Sequence, residues 1–368
     1  MIYVHVPFCQ RFCTYCDFYS EMAENPVVFE RYVSGVCEEI RRRHDELAAA
    51  DSFLLNTLYF GGGTPSLLPI DALGQILEAL RRTGHSSPFA EFTMEANPED
   101  IVQRGPDYLR ELLRMGVNRL SIGIQSFDDA ILRWMNRRHD AATAEKAVRM
   151  AREAGFGNIS VDLIFGLSQL EDSVWKGTLD RTLALKPEHI SSYQLSVEGE
   201  SALAAMVAAG KYEEAGEEQC KRQYDILCQR LAAAGYHHYE ISNFAKPGYE
   251  AKHNGGYWER IPYAGLGPGA HSLRFEGSTG IRSWNDCRLT DYRSTEERLG
   301  EEDARTETIM LSLRTAAGID ETWLRSHTDA STLTSLLAEG ALVSAGGSRL
   351  RIPETRFFVS DEIIRELV

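Results

Sequence analysis

MIYVHVPFCQRFCTYCDFYS, residues 1–20, opens the chain and sets the frame for everything after it. Residues 2–6, IYVHV, form a short β-rich run, and Cys9, Cys13 and Cys16 follow at once in a C-x3-C-x2-C array. Thiolates are the ligands of iron–sulfur clusters, and a [4Fe–4S] site ordinarily has four of them. Three closely spaced cysteines therefore leave one iron open to something other than protein. In radical chemistry S-adenosylmethionine works with such a cluster, and its amino and carboxylate groups suit an open iron. Two other readings share the spacing. The cysteines could be half of a disulfide framework, or three ligands of a Cys3His zinc site completed by His5 or a distant histidine.

Working outward from this strand, the first two hundred residues alternate β-rich runs with longer helical patterns, which predicts stacked βα units around a parallel sheet. The runs are IYVHV at 2–6, TLYFGG at 57–62, EFTMEAN at 91–97, RLSIGIQS at 119–126, ISVDLIFG at 159–166 and HISSYQLSV at 189–197. Asn25-Pro26 marks the start of a long helical segment over 26–49, since proline suits the first helical turn. Periodicity alone fits either a doubly wound open sheet or an incomplete eight-unit barrel. The unusual residues favour the barrel, because they gather at the C-terminal ends of the runs. The cysteines follow the first, Gly61 to Thr64 the second, Glu95 and Asn97 close the third, Gln125 the fourth, and Asp162 lies on the fifth. That edge is where ligands collect in parallel α/β folds.

Composition narrows the class. Of 368 residues, 43% are hydrophobic and 25% charged, which predicts a globular protein with ample core rather than a disordered chain. Asp plus Glu number 54 against 39 Lys plus Arg, a formal charge of −15, which argues against a general nucleic-acid or anionic-membrane binder. The chain begins directly with a strand and has no apolar stretch of membrane-spanning length, so a cytoplasmic protein without a membrane span is expected. In a reducing compartment Cys37, Cys220, Cys228 and Cys287 read as small buried hydrophobes.

GGGTP after the second run is not a phosphate-binding loop, because no Lys-Ser/Thr follows at the required spacing. It reads either as a tight turn or as bare backbone for the amino and carboxylate groups of an amino-acid moiety. Glu95 could accept a ribose hydroxyl or an ammonium group, although a strand-end acid is more often solvated. Gln125 and Asp162 interrupt apolar strands, and buried polar groups need partners, which favours a ligand contact.

YVHVPFC with C-x3-C-x2-C-D-F, then GGGTPS, EANP, SIGIQSF and DLIFGL, resembles the radical S-adenosylmethionine proteins, and within them the HemW family of haem chaperones. That family is similar in fold and motif order to the oxygen-independent coproporphyrinogen III oxidases. The resemblance covers nearly the whole chain. It implies a [4Fe–4S] cluster on Cys9, Cys13 and Cys16, and S-adenosylmethionine contacts from Tyr3, Tyr15, Gly62, Gly63, Thr64, Glu95, Gln125, Arg137 and Asp162. Two loops depart from the pattern: Asn136 stands where relatives carry Gly, and Ser168 where they carry Pro. Phe18 occupies the position of a further Cys in the oxidases, and their long N-terminal arm is absent. Both differences point to the chaperone branch, with the porphyrinogen-oxidising radical enzyme as the alternative.

From 200 to 235 the sequence is helical and charged, and Glu213, Glu214, Glu217 and Glu218 read as a solvated face. GYHHYEISNFAKPGYEAKHNGGYWERIPYAGLGPGAHS, ending at Ser272, is then the densest aromatic, histidine and glycine stretch. His237 and His238 read as ordinary surface residues. His253, Asn254, Tyr257 and Trp258 match the H-N-x-x-Y-W motif that the resemblance associates with haem, which implies His253 as axial ligand and haem-accepting respiratory proteins as partners. Gly265, Gly267 and Gly269 in GLGPGAHS suit close backbone approach to the cluster side or to a neighbouring strand. The fold class expected is α/β: an incomplete (β/α)6 TIM-like barrel with a C-terminal α+β winged-helix-like domain. The boundaries read as a core barrel over 1–200, a helical and aromatic, His- and Gly-rich haem-binding segment over 201–300, and a C-terminal domain over 301–368, whose Gly346-Gly347 turn joins two apolar runs. That last shape binds DNA elsewhere, but here no basic stripe accompanies it, and partner docking or packing is expected instead.

Overall fold

A computed structural model describes residues 1–23, 25–49, 55–84, 88–199 and 201–368. Six strands run parallel and adjacent in sequence order: β1 (Ile2–Val6), β2 (Thr57–Gly62), β3 (Glu91–Ala96), β4 (Arg119–Gln125), β5 (Ile159–Phe165) and β6 (His189–Gln194). This order decides between the two architectures, because a doubly wound sheet reverses direction at a switch point and a barrel does not. The chain then extends both edges. β7 (His237–Glu240) and β8 (Asn243–Ala245) add an antiparallel pair beyond β6, and β9 (Ala264–Leu266) pairs in parallel outside β1. The nine strands lie in the order β9-β1-β2-β3-β4-β5-β6-β8-β7, and no ladder joins the two ends among the described residues. The barrel is thus incomplete.

The strands alternate with period two, and the two faces differ in kind. Val4, Val6, Leu58, Phe60, Phe92, Met94, Leu120, Ile122, Ile124, Val161, Leu163 and Ile190 face outward and are buried against the surrounding helices. Burying each such side chain contributes roughly 1.5–3 kcal/mol, so the outer layer carries the fold. Tyr3, His5, Thr57, Tyr59, Glu91, Glu95, Arg119, Ser121, Ser160, Asp162 and His189 have the opposite parity. Their bonds run along the inner face between neighbouring strands, as in Tyr59 Oη to Glu95 Oε1 at 2.7 Å and Ser160 Oγ with His189 Nδ1 at 2.7 Å. A TIM barrel fills this space with branched aliphatics; here it is a polar lumen.

Helix α1 (Pro26–Arg42) begins as its sequence requires. Asn25 Oδ1 accepts from Val27 N at 3.0 Å, Pro26 takes the first turn, and Tyr32, Val33, Val36 and Ile40 form its buried stripe. Helices α2 (Ile70–Arg81), α3 (Pro98–Arg114), α4 (Ala141–Ala154) and α5 (Asp172–Leu185) follow β2 to β5 in turn. The short helix α6 (Lys252–Trp258) does not join this outer ring but closes the lumen from below. Past 260, an antiparallel sheet of three strands (His271–Glu276, Thr279–Asn285, Ser294–Arg298) precedes a winged-helix-like C-terminal part. In that part helices Glu301–Leu313, Glu321–His327 and Ala330–Ala338 pack with strands Ile319–Asp320, Val343–Gly346 and Arg349–Arg351, the last two turning at Gly346-Gly347.

Three expectations need correction or refinement. Of the four cysteines read as buried hydrophobes only Cys220 is buried; Cys37 and Cys228 are half-buried and Cys287 is exposed, in a turn-rich stretch past Thr279–Asn285. His238 is not a plain surface residue: its ring stacks on Phe244 at 4.1 Å and meets Phe357 edge-on at 4.9 Å, and burial lowers its pKa to about 4. In GLGPGAHS the close approach is to neighbouring strands. A Cβ on Gly267, which sits at φ +93°, would lie 2.7 Å from the His5 carbonyl oxygen, and one on Gly265 would collide with the His271 carbonyl.

Candidate functional site

At the C-terminal mouth of the lumen the cysteine loop folds back over the strand ends. Thr14 N bonds the Met135 carbonyl at 3.1 Å and Asn136 Nδ2 bonds the Phe12 carbonyl at 2.7 Å, tying the loop to the turn that ends the short helix Asp129–Trp134 beyond β4. Asn136 has φ +58°, a conformation that asparagine tolerates better than most residues, which explains how it stands in for glycine. The three thiols are electrostatic neighbours of one another. Cys9 Sγ lies 3.6 Å from Thr64 Oγ1, and Arg137 Nη1 donates to Cys13 Sγ at 3.4 Å. Burial pushes the thiols of Cys9 and Cys16 up, the latter to about 11. Such thiols ionise when a metal supplies the compensating charge, so the donor set suits a metal cluster.

A single zinc ion fits less well. Both ring nitrogens of His5 are engaged, Nδ1 with Tyr3 Oη at 3.0 Å and Nε2 with the Tyr19 carbonyl at 3.1 Å. Among the described residues no three His, Cys, Asp or Glu side chains converge closely enough for one ion. A cube of iron and sulfide takes one thiolate at each of three corners and needs a wider spread.

Next to the cysteines, Arg137 is the positioning cation. Nη2 donates to Asn97 Oδ1 at 2.6 Å and to the Gly123 carbonyl at 2.7 Å, linking β3, β4 and the cysteine loop. Glu95 accepts from Tyr59 Oη at 2.7 Å and from Gly62 N at 3.1 Å; burial above all raises its carboxyl to about 7. Asp162 accepts from Ser121 Oγ at 3.1 and 3.2 Å, and burial raises it as well. Gln125 stands apart, because its backbone has φ +65° and among the described residues its amide makes no bond. A non-glycine residue held in that region costs of order 1–3 kcal/mol, and such strain gathers at ligand sites.

The glycine run does two separate jobs. Gly62 at φ +109° leaves room for His5, whose Cε1 a Cβ would approach to 2.5 Å, and Gly63 N bonds the Val6 carbonyl at 2.9 Å. Both N–H groups are therefore already used. Tyr15 is half-buried beside the cysteines, and Tyr3 faces the lumen. Ser168, where proline was the expected residue, donates its N–H to Tyr212 Oη at 3.0 Å, a bond proline could not make. Tyr59, Ser121 and Tyr193 also belong to this surface and were not singled out; their parity within the strands was the available signal.

His253 is elsewhere. Its ring is fully buried at the opposite end, with Nδ1 on Thr57 Oγ1 at 2.8 Å and Nε2 on Tyr257 Oη at 2.9 Å. Thr57 begins β2 and Gly62 ends it, so at the ordinary rise per residue the two levels are ~16 Å apart. Glu91, at the start of β3, caps α6 by accepting from Lys252 N at 2.8 Å and His253 N at 3.0 Å. Burial holds the imidazole neutral, with a pKa of about 3. The nine residues expected at the S-adenosylmethionine site and the three cysteines thus lie in or above one lumen, while His253 lies in its floor.

Comparison with known proteins decides the family. Residues 3–181 match the model of the Radical SAM superfamily. Heme chaperone HemW of Bacillus subtilis is 35% identical over 87% of this chain and 84% of its own length. The chain belongs to the HemW family. Heme chaperone HemW of Mycobacterium tuberculosis is 32% identical over 100% of this chain and 94% of its own, and that of Escherichia coli K12 is 36% identical over 73% and 69%. In fold the chain is similar to coproporphyrinogen III oxidase (HemN) from Escherichia coli, a radical SAM enzyme, with a TM-score of 0.77 over 99% of this chain and 88% of that one, at 21% identity. The alignment to the Mycobacterium tuberculosis relative runs over the whole chain and so takes in both the cysteine mouth and the floor helix.

Proposed function

We propose that this member of the HemW family is a haem chaperone that binds haem and passes it to a haem-dependent respiratory protein in the cytoplasm. It would carry a [4Fe–4S] cluster on Cys9, Cys13 and Cys16 and S-adenosylmethionine across the same mouth. The observation that carries the reading is the joint arrangement of three neighbouring thiols, an engaged Arg137 and an unbonded, strained Gln125 at one strand edge. When bound, the cluster would supply an electron and an open iron for the amino and carboxylate groups of S-adenosylmethionine.

The side chains of this protein have definable parts in that state. The Arg137 guanidinium offsets thiolate charge at Cys13 and fixes the loop against Asn97. Glu95, with a value near neutrality, can accept a further hydroxyl or ammonium proton through a remaining lone pair beside the bonds it takes from Tyr59 and Gly62. Ser121 orients Asp162, and the free Gln125 amide offers both a donor and an acceptor to the ligand.

For His253 the reading makes a specific demand. A neutral imidazole suits iron, yet both nitrogens are occupied, so ligation of haem must go with withdrawal of α6 from the floor. Phe18, 69% exposed beside the cysteines, replaces the further thiol of the oxidase branch and favours the chaperone. The test measures haem binding, haem transfer to an apo-protein and coproporphyrinogen oxidation on one anaerobically reconstituted sample. Stoichiometric binding and transfer without porphyrinogen turnover is expected. Catalytic decarboxylation of coproporphyrinogen would replace this reading with the oxidase one.

A further inference from the structure

The lumen contains a cation that no hydrogen bond or ion pair answers among the described residues. Arg119 opens β4 and shares its parity with Ser121, whose hydroxyl bonds Asp162 of the neighbouring strand on the inner face, whereas Leu120, Ile122 and Ile124 point into the outer core. Its side chain is therefore aimed inward, and it is only 2% exposed. Among the described residues its guanidinium has no hydrogen bond and no ion pair, and its Nε is buried without a partner. In the ladder Arg119 lies opposite Thr93 and Thr93 opposite Tyr59, one step below the Ser121–Glu95 pair and one step above Thr57, which bonds His253, so the charge stands at mid-lumen. It is near enough to act electrostatically on Tyr59, Glu95, Asp162, His189, Tyr239 and His253.

The groups that might have neutralised it are committed elsewhere. Glu91 is spent on the first N–H groups of α6, and Glu95 and Asp162 bond Tyr59, Gly62 and Ser121. Arg137, the other lumen guanidinium, shows the contrast, since it has three partners. A buried charge without a partner costs several kcal/mol, and proteins retain one where a ligand supplies the counter-charge. Arginine presents a planar fork that matches a carboxylate in two parallel bonds.

We propose that Arg119 is an anion anchor in the lumen and takes a carboxylate of the ligand that enters through the cysteine mouth. The proposal deepens the function proposed above and rests on it for the identity of the ligand. Two sources share this chemistry: the propionates of a tetrapyrrole and the methionyl carboxylate of S-adenosylmethionine.

The test uses the full chain with its cluster reconstituted, as wild type, Arg119→Met and Arg119→Lys. The probes are iron protoporphyrin IX, its dimethyl ester and S-adenosylmethionine. If a propionate is the partner, wild type should favour the free acid over the ester by at least about tenfold, Arg119→Met should bind both alike, and Arg119→Lys should recover part of the preference. If the methionyl carboxylate is the partner, Arg119→Met should weaken S-adenosylmethionine by at least about tenfold and leave the acid-to-ester ratio unchanged. In either case the ligand-free Arg119→Met protein should melt no lower than wild type, because it loses only an unpaired charge. A lower melting point together with unchanged affinity for all three probes would make Arg119 a structural residue and overturn the proposal. Should wild type bind no tetrapyrrole, the haem reading fails by itself, and the S-adenosylmethionine arm still decides the role of Arg119.

Discussion

The two ends of the lumen are built from the same residue types and put them to opposite use. At the floor, His253, Thr57, Tyr257 and Glu91 satisfy one another, and the ring is sealed from solvent. At the mouth, Gln125 is strained and unbonded, two of three thiols are held as neutral groups by burial, and the acids are pushed toward protonation. Saturated hydrogen bonding stabilises the fold, whereas unspent bonding capacity beside a rigid sheet edge is available to a ligand. The difference separates groups that can take a ligand as they stand, such as Gln125, from groups such as His253 that must first leave their partners.

The largest expected effect lies at the mouth. Replacing any one of Cys9, Cys13 or Cys16 by Ala should reduce iron in the anaerobically reconstituted protein from about four per chain to near zero. Iron and sulfide analysis reads this directly, and one mol of zinc per chain without sulfide in the wild type would refute the cluster. At the floor, Glu91→Ala should lower unfolding free energy by about 3 kcal/mol, since a charged acceptor of two buried N–H groups is lost. Urea denaturation should show it, and a loss under about 1 kcal/mol would mean that the floor is not held as described.

A smaller effect of opposite sign belongs to Gln125. Gln125→Gly should raise stability by up to about 1 kcal/mol by relieving the left-handed backbone, while weakening S-adenosylmethionine binding. Stability lost and binding kept would exchange the roles assigned to this residue. The smallest effect is a pH slope. His253 has a folded value of about 3 against an ordinary 6.5, so the unfolded chain binds the extra proton between these values. Its contribution is fully present above pH 6.5 and is lost as pH falls toward 3. The urea midpoint of His253→Gln should therefore fall less steeply than that of wild type between pH 6.5 and 4, and parallel slopes would show that the ring is not buried neutral.

Much of this was legible in the sequence. IYVHV and TLYFGG coincide with β1 and β2, and the other four runs overrun their strands only at the C-terminal end, by three residues in HISSYQLSV. Those ends turn into loops, where the polar residues that mark the site interrupt the ladder. The cysteines, Glu95, Gln125 and Asp162 were readable because they stand at equivalent places on successive strands. Arg119 has the same alternation but sits at the start of its strand, where charge passes for solvent exposure. The depth of His253 could not be read, because Thr57 and Glu91, which seal it in, are 196 and 162 residues away. A motif specifies residue types and spacing, and the level at which a helix enters a barrel is set by partners far along the chain.

The central claim is that the mouth holds a cluster whose open iron receives S-adenosylmethionine. The most direct measurement is the electron paramagnetic resonance spectrum of the reduced, reconstituted protein with and without saturating S-adenosylmethionine. A changed spectrum in wild type is predicted, with the change reduced in Gln125→Ala and Asp162→Asn at unaltered iron content. Superimposable wild-type spectra in the two conditions would contradict the account.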